Sequence, residues 1–472
     1  MIPRIPLRQA LADPNLLGNS LAGESWRAWR TLLIAAMGEQ LDDAERELFQ
    51  RITGGREHEP NQRVNELVAV VGRRGGKSRA MATLMTYIAG LCDHSDVLVR
   101  GERGIALCVA LDQRVAKIVQ DHCFAALEGS PLLRQLVANQ TQDAIELTSG
   151  VSVEVRPASF RKLRGPTYVA VVADELAFWY QDSSYANPDV EIVAAVRPGL
   201  LTTRGPLILA SSPYAKSGVL WDRYKRHFGP KGSPAILVAH GTSRDFNKTL
   251  PQDEIDRALE EDRARNSAEF LAQFRDDVSN YISIEVVEGC IGGHREMLWA
   301  SGNSYRCFVD PAGGSGEDSF TCAIGHKSFA DNQIIIDATR EFRPHFSPAA
   351  VIDELVPLIK SYRIQQVTGD HYAGEFPREL FRKHGIMYEV CKQPKSDLFR
   401  DLLPLLNSGR IMLPQNDRLV AQISGLERRV TRSGKDSIDH APNAHDDVAN
   451  ATAGCASILH KPTFSLYSGW LD

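Results

Sequence analysis

The stretch V-A-V-V-G-R-R-G-G-K-S-R-A-M-A-T-L-M, residues 68–85, runs from an apolar strand pattern through a glycine-rich loop into an apolar helical pattern. In such a loop glycines let backbone N–H groups approach phosphate oxygens, a lysine meets phosphate charge, and a hydroxyl binds Mg²⁺. The spacing departs from G-x-x-x-x-G-K-[ST], because Val71 stands where the first glycine would be. The stretch therefore predicts a loop that binds a nucleotide with Mg²⁺. Its positions are Gly72, Arg73, Arg74, Gly75, Gly76, Lys77 and Ser78.

A pair of carboxylates follows a second buried-strand pattern. Six mostly apolar residues, 168–173, lead into Asp174 and Glu175. Nucleotide hydrolysis needs a carboxylate in the metal shell and a second group that orients the attacking water. We assign the first role to Asp174 and the second to Glu175. A third strand ends in Ser211, Ser212 and Pro213, and the two serines are predicted to sense the γ-phosphate beside the Asp-Glu strand.

Strand and helix patterns alternate through the first half of the chain. Continuous apolar runs occur at 67–71, 105–110, 168–173 and 207–210, and stretches with helical spacing stand between them. Alternation of this kind predicts parallel strands that are covered on both faces. The expected fold class is α/β.

The composition of the sequence changes near residue 246, where a charged stretch with few apolar positions predicts a helical connector. Beyond residue 300 strands are predicted near 305–309, 320–325, 333–337 and 365–368, with a helix that begins at Ser347 and Pro348. The predicted division is an N-terminal segment 1–60, a first domain 61–245, a connector 246–300 and a second domain 301–472.

Acidic residues stand at element ends in the second domain. Asp310 ends its first strand, Asp370 ends another, and Asp446 and Asp447 open a helix of small residues. Two-metal cleavage of a phosphodiester needs a carboxylate shared between two ions and others on each flank. Each aspartate alone is equally typical of a strand end or a helix cap. Asp318 and His445 are further candidates near this site.

The loop with Arg73 directly after Gly72 resembles the variant loop of phage terminase large subunits. Arg164-Gly165, the Asp-Glu strand, the Ser-Ser-Pro strand end and the helical connector follow in that family's order. The resemblance implies a P-loop NTPase motor domain of the additional-strand type that uses ATP with Mg²⁺. It implicates Arg73 in γ-phosphate contact and coupling, and it leaves Arg74, Arg161 and Arg164 open as rival arginine fingers. Phe49 and Gln50 are the candidates for contact with adenine.

The second domain looks like the RNase H-like nuclease that terminase large subunits carry after their motor. On this resemblance Asp310 bridges two Mg²⁺ or Mn²⁺ ions, Asp370 holds one, and Asp446 or Asp447 holds the other. The family implies double-stranded DNA as substrate, with a small terminase subunit, a portal protein and a homo-pentameric ring as partners. It also implies the cytoplasm of the infected host cell, with transient attachment to a procapsid.

The composition of the chain limits the classes of protein to which it can belong. A formal net charge of −5 argues against a static coat on nucleic acid, although residues 156–165 and 426–435 are local basic patches. Eight cysteines without close pairs predict reduced thiols, and no apolar window reaches the roughly 18 residues of a membrane span. Two other readings stay open. A helicase-nuclease or DNA-repair ATPase would carry interleaved aromatics for single strands, and a non-enzymatic assembly protein would not need the intact acidic residues.

Overall fold

A computed structural model of the chain describes residues 1–111, 113–158, 163–179, 188–370, 376–430, 436–442 and 444–460. The described part divides into two compact units, one within residues 1–277 and one within residues 278–460. The predicted N-terminal segment belongs to the first unit. The predicted connector 246–300 is divided between the units after residue 277, so these boundaries differ from the predicted ones.

The first unit is built on a sheet of eight strands in the order β10-β2-β9-β8-β4-β7-β6-β5. Neighbouring strands run parallel from β10 to β7, and β6 and β5 are antiparallel. The strands of this unit are β1 (Ile2–Pro3), β2 (Glu66–Val71), β3 (Cys92–Asp93), β4 (Gly104–Ala110), β5 (Val137–Gln140), β6 (Ala144–Leu147), β7 (Val151–Pro157), β8 (Tyr168–Asp174), β9 (Leu207–Ser211) and β10 (Ile236–Gly241). Because β9 lies between β2 and β8, the sheet has the additional-strand arrangement of P-loop NTPases.

Helices cover both faces of this sheet, as the apolar strand runs predicted. Leu67, Ala69 and Val71 of β2 share one core with α4 and α5, whereas Val68 and Val70 share the opposite core with α7 and α8. The two cores follow from the strand period of two residues, which sends successive side chains to opposite faces. The helices are α1 (Leu7–Ala12), α2 (Arg27–Ala36), α3 (Asp43–Ile52), α4 (Lys77–Leu91), α5 (Gln113–Glu128), α6 (Pro131–Arg134), α7 (Pro188–Leu201), α8 (Gly218–His227), α9 (Ser243–Phe246), α10 (Gln252–Glu261) and α11 (Arg263–Leu271).

The second unit contains a six-stranded sheet in the order β16-β15-β12-β13-β14-β17. β12, β13 and β14 are consecutive antiparallel strands, and β15 and β16 continue the sheet in parallel from β12. This is an RNase H-like order. A separate three-stranded sheet joins β11, β18 and β19. The strands are β11 (Val278–Asn280), β12 (Tyr305–Asp310), β13 (Phe320–Lys327), β14 (Ile334–Phe342), β15 (Gln366–Gly369), β16 (Met387–Val390), β17 (Ile411–Met412), β18 (Leu426–Val430) and β19 (Asp436–His440).

The last helix of the second unit packs closely on its main sheet. A Cβ atom at Gly454 would lie 2.4 Å from the ring of Phe308 on β12, which explains the small residues along this helix. The close approach brings the start of the helix to the end of β12. The helices are α12 (Ile284–Glu288), α13 (Pro348–Ser361), α14 (Phe376–Lys383), α15 (Lys395–Asn407), α16 (Asp417–Ser424) and α17 (Asp447–His460).

Several local predictions can be compared with these elements. The eight predicted strands are all present, and their ends differ from the predicted ones by at most five residues. α13 begins at Pro348 as predicted, but the Ser347 side chain makes no capping hydrogen bond. All eight cysteines are free thiols, and only Cys391 among them is not fully buried. In the described ranges, no helix is long and apolar enough to span a membrane.

Candidate active sites

The phosphate-binding loop joins β2 to α4. Arg74 and Gly76 have positive φ angles of 60° and 88°, which lets the loop turn before the helix begins at Lys77. A Cβ atom at Gly76 would lie 2.8 Å from the Trp26 ring, so only glycine fits there without displacing that ring. The glycine pattern that the sequence shows thus has a steric reason in addition to its use in phosphate binding.

Lys77 is nearly buried at the start of α4. Its ammonium donates to the Val71 carbonyl at 3.1 Å and to Ser212 Oγ at 2.8 Å. It also lies 3.3 Å from a carboxylate oxygen of Glu175. The loop, the carboxylate strand β8 and the additional strand β9 therefore meet around the ammonium group of Lys77.

Ser78 and Asp174 form the second link between the loop and β8. Ser78 Oγ donates to Asp174 Oδ2 at 3.0 Å, while Asp174 Oδ1 is buried and has no hydrogen-bond partner within the described residues. Burial, followed by the neighbouring Glu175 charge, raises the pKa of Asp174 to about 6. A buried carboxylate oxygen without a donor fits a divalent cation, since hard oxygen ligands are those that Mg²⁺ prefers.

Glu175 follows β8 in a left-handed conformation with φ of 53° and ψ of 41°. One of its carboxylate oxygens accepts from Ser211 Oγ and from the Ser212 backbone N–H, each at 3.3 Å. A left-handed backbone is costly for a residue other than glycine and is frequent at functional sites. The predicted base and the predicted sensing serines thus lie in direct contact.

Arg73 points toward the helix that precedes residue 272. Its guanidinium lies 3.3 Å from the Glu269 carboxylate, and its backbone N–H donates to the Glu269 carbonyl. The loop carbonyls of Arg73 and Arg74 accept from Ser243 Oγ and Asn247 Nδ2. Among the rival fingers, Arg164 is described at the surface, whereas Arg161 lies outside the described residues.

The N-terminal helices support the loop, which the sequence did not predict. Trp29 on α2 donates from its indole N–H to the Gly75 carbonyl at 2.7 Å, and its ring lies 4.7 Å from that of Phe246. Phe49 is completely buried, so it does not present a face to adenine. A cleft of about 320 Å³ between α2, α3 and α9 opens beside this support, with Arg27, Leu48 and Lys248 in its wall.

In the second unit, Asp310 ends β12 in a partly buried position. The side-chain amide of Asn450 on α17 donates to Asp310 Oδ2 at 2.7 Å. Burial, with the charges of Asp447, Asp370 and Asp446 adding to it, raises the pKa of Asp310 well above its ordinary value. The charges of the three other aspartates that the sequence singled out therefore reach Asp310. Asn450 was missed, although its position three residues after Asp447 places both on one helix face.

Asp447 is the first residue of α17. Its Oδ2 accepts from the Ser319 backbone N–H at 3.0 Å, and its carbonyl accepts from Thr321 Oγ1. Burial and then the Asp446 and Asp318 charges raise the pKa of Asp447 to about 6, against the pull of the Ser319 hydrogen bond. The side chain of Gln422 satisfies the next two helical N–H groups at 2.9 and 3.0 Å. This fixes the helix start that carries Asp447.

Asp446 is engaged differently from its neighbour. The ammonium of Lys395, on α15, lies 3.0 Å from Asp446 Oδ2 and 2.8 Å from Asp439 Oδ1. Asp370 follows β15 and its carbonyl accepts from the Tyr388 hydroxyl at 3.0 Å. The predicted outer candidates Asp318 and His445 lie 3.6 Å apart.

The aspartates of the second unit supply hard carboxylate oxygens, the ligands that divalent cations prefer, and a bound cation would relieve their mutual repulsion. Within the described residues, no three acidic, histidine or cysteine side chains are grouped so that they could hold a metal ion as they stand. Part of each predicted basic patch, residues 159–162 and 431–435, lies outside the described ranges. In the described part, Arg429 pairs with Glu427 at 3.0 Å.

Comparison with known proteins gives no match to any protein-family model or curated protein. Solved structures do match. Among them are phage large terminases. The large terminase of bacteriophage HK97 gives a TM-score of 0.40 at 13% identity, over 93% of this chain and 100% of that chain. The large terminase ATPase domain of Thermus phage P74-26, in a mutant form, gives 0.36 at 16% identity, over 50% and 99%. The large terminase nuclease of thermophilic phage G20c gives 0.32 at 16% identity, over 37% and 96%.

These matched structures are from the family whose loop and motif order the sequence resembles. A further match, the large terminase of another thermophilic bacteriophage, has been solved with ADP, and the G20c nuclease with magnesium and with cobalt. Likeness at this level of identity and TM-score says nothing about activity. The function has to come from the two sites.

Proposed function

We propose that the chain is the large subunit of a viral terminase. ATP hydrolysis in the first unit drives double-stranded DNA into a procapsid, and a two-metal endonuclease in the second unit cuts concatemeric DNA when packaging starts and ends. One observation supports this most strongly. Lys77, Ser78, Asp174 and Glu175 meet on an additional-strand sheet. An RNase H-like sheet follows in the same chain, and the charges of three further aspartates act on Asp310 at the end of its strand β12.

Each residue of the first site has a defined part in hydrolysis. Lys77 and the N–H groups of the glycine-rich loop bind the β- and γ-phosphates of ATP. Mg²⁺ held by Ser78 and Asp174 would neutralise phosphate charge. Glu175 accepts a proton from the attacking water and orients it toward the γ-phosphorus. Its contacts with Ser211 and Ser212 support this, because they aim its carboxylate from the ends of two adjacent strands.

Coupling of hydrolysis to movement is assigned to Arg73, Ser211 and Ser212. Arg73 contacts Glu269 through both its backbone and its guanidinium, so a change at the loop reaches α11 directly. Ser211 and Ser212 contact the Glu175 carboxylate, so loss of the γ-phosphate changes their hydrogen bonds. This route connects the nucleotide to the last helix before residue 277.

The second site cuts the phosphodiester backbone. Two Mg²⁺ or Mn²⁺ ions held by Asp310, Asp370 and Asp447, with Asp446 adjacent, would activate the attacking water and stabilise the leaving oxygen. The chain itself keeps these carboxylates in place. Asn450 orients Asp310, Ser319 orients Asp447, and Tyr388 holds the Asp370 backbone.

A packaging enzyme has to ignore base sequence, so contact with DNA is expected mainly at phosphates. The partners proposed are double-stranded DNA, a small terminase subunit that selects it, and the portal of the procapsid, on which the chain assembles as a pentamer. The site of action is the cytoplasm of the infected host cell, with transient attachment to the procapsid.

The test is packaging in a purified system with ATP, linear double-stranded DNA and procapsids that carry the matching portal. We expect ATP-dependent protection of intact duplex DNA from added nuclease. A helicase-nuclease would instead separate the strands and protect nothing. Strand separation without protection would therefore contradict the proposal.

A further inference from the structure

Lys395 carries a partly buried positive charge beside the proposed nuclease site, and the proposed mechanism gives it no role. It is the first residue of α15, and its ammonium lies 2.8 Å from Asp439 Oδ1 on β19. The same ammonium lies 3.0 Å from one oxygen of Asp446 and 3.3 Å from the other. The Asp446 side chain is only 7% exposed, so its charge has little help from solvent.

The position of this lysine is fixed from two sides. The backbone N–H of Ile438 donates to Ser396 Oγ at 2.9 Å, which attaches the start of α15 to β19. Apolar residues of α15, including Leu398 and Leu402, share a core with Val448 of α17. The helix that carries Lys395 is therefore held against both segments whose carboxylates it pairs.

The pairing divides the aspartates of the site into two kinds. Asp446 has both oxygens within reach of a fixed ammonium, whereas Asp310 accepts from a neutral amide and Asp447 from a backbone N–H. A carboxylate neutralised by a lysine is a weaker ligand for a cation than one that receives only neutral donors. The Asp310 and Asp447 carboxylates therefore keep more of their charge for a metal than the Asp446 carboxylate does.

We propose that Lys395 is a positioning residue of the nuclease, which holds the Asp446 carboxylate away from the metals and so limits how tightly the site binds them. The inference rests on the proposed nuclease function. Without the lysine, the freed carboxylate adds its charge to the cluster and competes with the scissile phosphate for the bound cations. Loss of Lys395 should therefore tighten metal binding and slow cleavage at the same time.

The experiment compares Lys395→Met, Lys395→Arg and the exposed control Lys383→Met in the full chain. Mn²⁺ binding is measured by calorimetry without DNA in an Asp174→Asn background, which silences the metal ligand of the first site. Plasmid cleavage is measured at saturating Mn²⁺ in the wild-type background. We expect Lys395→Met to bind Mn²⁺ at least about threefold more tightly and to cut roughly tenfold more slowly. Lys395→Arg and Lys383→Met should stay near wild type in both.

A purely structural role would weaken binding and cleavage together, so unchanged or weaker Mn²⁺ binding by Lys395→Met overturns the inference. If that variant does not fold, the double variant Lys395→Met with Asp446→Asn removes the unpaired charge. Its Mn²⁺ affinity should lie within about twofold of Asp446→Asn alone, because the lysine acts through Asp446. A larger difference also overturns the inference.

Failure of the nuclease assignment itself would look different. If Asp310→Asn leaves Mn²⁺-dependent cleavage intact, the second unit is not the nuclease and the role of Lys395 falls with it. If Asp310→Asn abolishes cleavage while Lys395→Met binds Mn²⁺ as wild type does, only the positioning role is lost.

Discussion

Ser78 Oγ donates to Asp174 Oδ2 at 3.0 Å, so the first turn of the helix after the phosphate loop is joined to the end of the carboxylate strand 96 residues later. Nothing in the described structure pairs the other Asp174 oxygen, which is buried. The pair therefore has the form of a cation site that is completed from outside the chain. Glu175, one residue on, is free of this role and contacts the serines of β9.

Glu175→Gln should separate ATP binding from ATP hydrolysis. The amide keeps the size of the side chain but cannot accept a proton, so we expect the turnover number to fall by at least about 100-fold. ATP affinity should change little, because Lys77 and the loop bind the phosphates. Phosphate release and equilibrium binding of a fluorescent ATP analogue measure the two quantities. Glu254→Gln on exposed α10 is the control, and turnover retained in Glu175→Gln would remove the base assignment.

Arg73→Ala and Arg74→Ala should differ, although the two residues are neighbours. Arg73 contacts α11 through Glu269, and the proposal gives it the γ-phosphate, so its loss should lower ATP turnover by roughly 1000-fold. Arg74 contributes its backbone carbonyl to Asn247, which alanine preserves. Steady-state ATPase rates of the two variants show which arginine acts on the γ-phosphate. Equal losses, or a larger loss at Arg74, would assign the finger elsewhere.

Trp29→Phe should weaken the loop without removing any proposed catalytic group. The substitution keeps an aromatic ring against Phe246 but leaves the Gly75 carbonyl without its donor, at a cost of about 1 kcal/mol in the free energy of unfolding. We expect the Michaelis constant for ATP to rise several-fold with a smaller change in turnover. Thermal melting measures the stability loss, and steady-state ATPase kinetics measure the Michaelis constant. An unchanged Michaelis constant would show that the N-terminal helices do not shape the loop.

In the presence of a chelator, Asp447→Asn should be more stable than the wild type, and this gain should grow as the pH rises out of the acid range. The pKa of Asp447 is about 6 in the folded chain against an ordinary value of 3.8. The folded state therefore holds this proton more tightly than the unfolded chain does, and stability falls as the pH rises from about 4 to above 6. Asparagine has no such loss, so the variant should gain on the order of 2 kcal/mol at pH 7.5.

Chemical denaturation in EDTA at pH 4.5 and pH 7.5 measures this gain, with Asp417→Asn as a control at the start of α16. A gain at pH 4.5 as large as that at pH 7.5 would contradict the raised pKa. Mn²⁺ should stabilise the wild type more than the variant at pH 7.5. The ionised Asp447 carboxylate lowers stability when no metal is bound, and the same carboxylate binds the cation when Mn²⁺ is present.

The sequence predicted those parts of the molecule whose signal is local. The loop, the Asp-Glu strand end and the Ser-Ser strand end are runs in which strand, turn and chemistry follow one another, and the structure brings Lys77, Glu175 and Ser212 together. Strand order could be anticipated only through resemblance, because β9 enters between β2 and β8 from more than 30 residues beyond β8.

The residues that support the two sites could not be predicted from local sequence patterns. Trp29 is 46 residues from Gly75, and Lys395 is 51 residues from Asp446, so each contact depends on tertiary packing. A tryptophan in an apolar helix and a lysine at a helix start are both ordinary in sequence. Phe49 was considered for adenine, yet its apolar neighbours on α3 turn it into the core. Asn450 alone had a usable signal, since it lies one helical turn from Asp447.

The central claim is that one chain carries two separate catalytic sites, an ATPase and a metal-dependent nuclease. The most direct measurement is of both activities in Glu175→Gln and Asp310→Asn, with ATP turnover and Mn²⁺-dependent plasmid cleavage measured on the same preparations. The account predicts that Glu175→Gln loses turnover and keeps cleavage, and that Asp310→Asn loses cleavage and keeps turnover. Loss of both activities in either variant, or of neither, would contradict it.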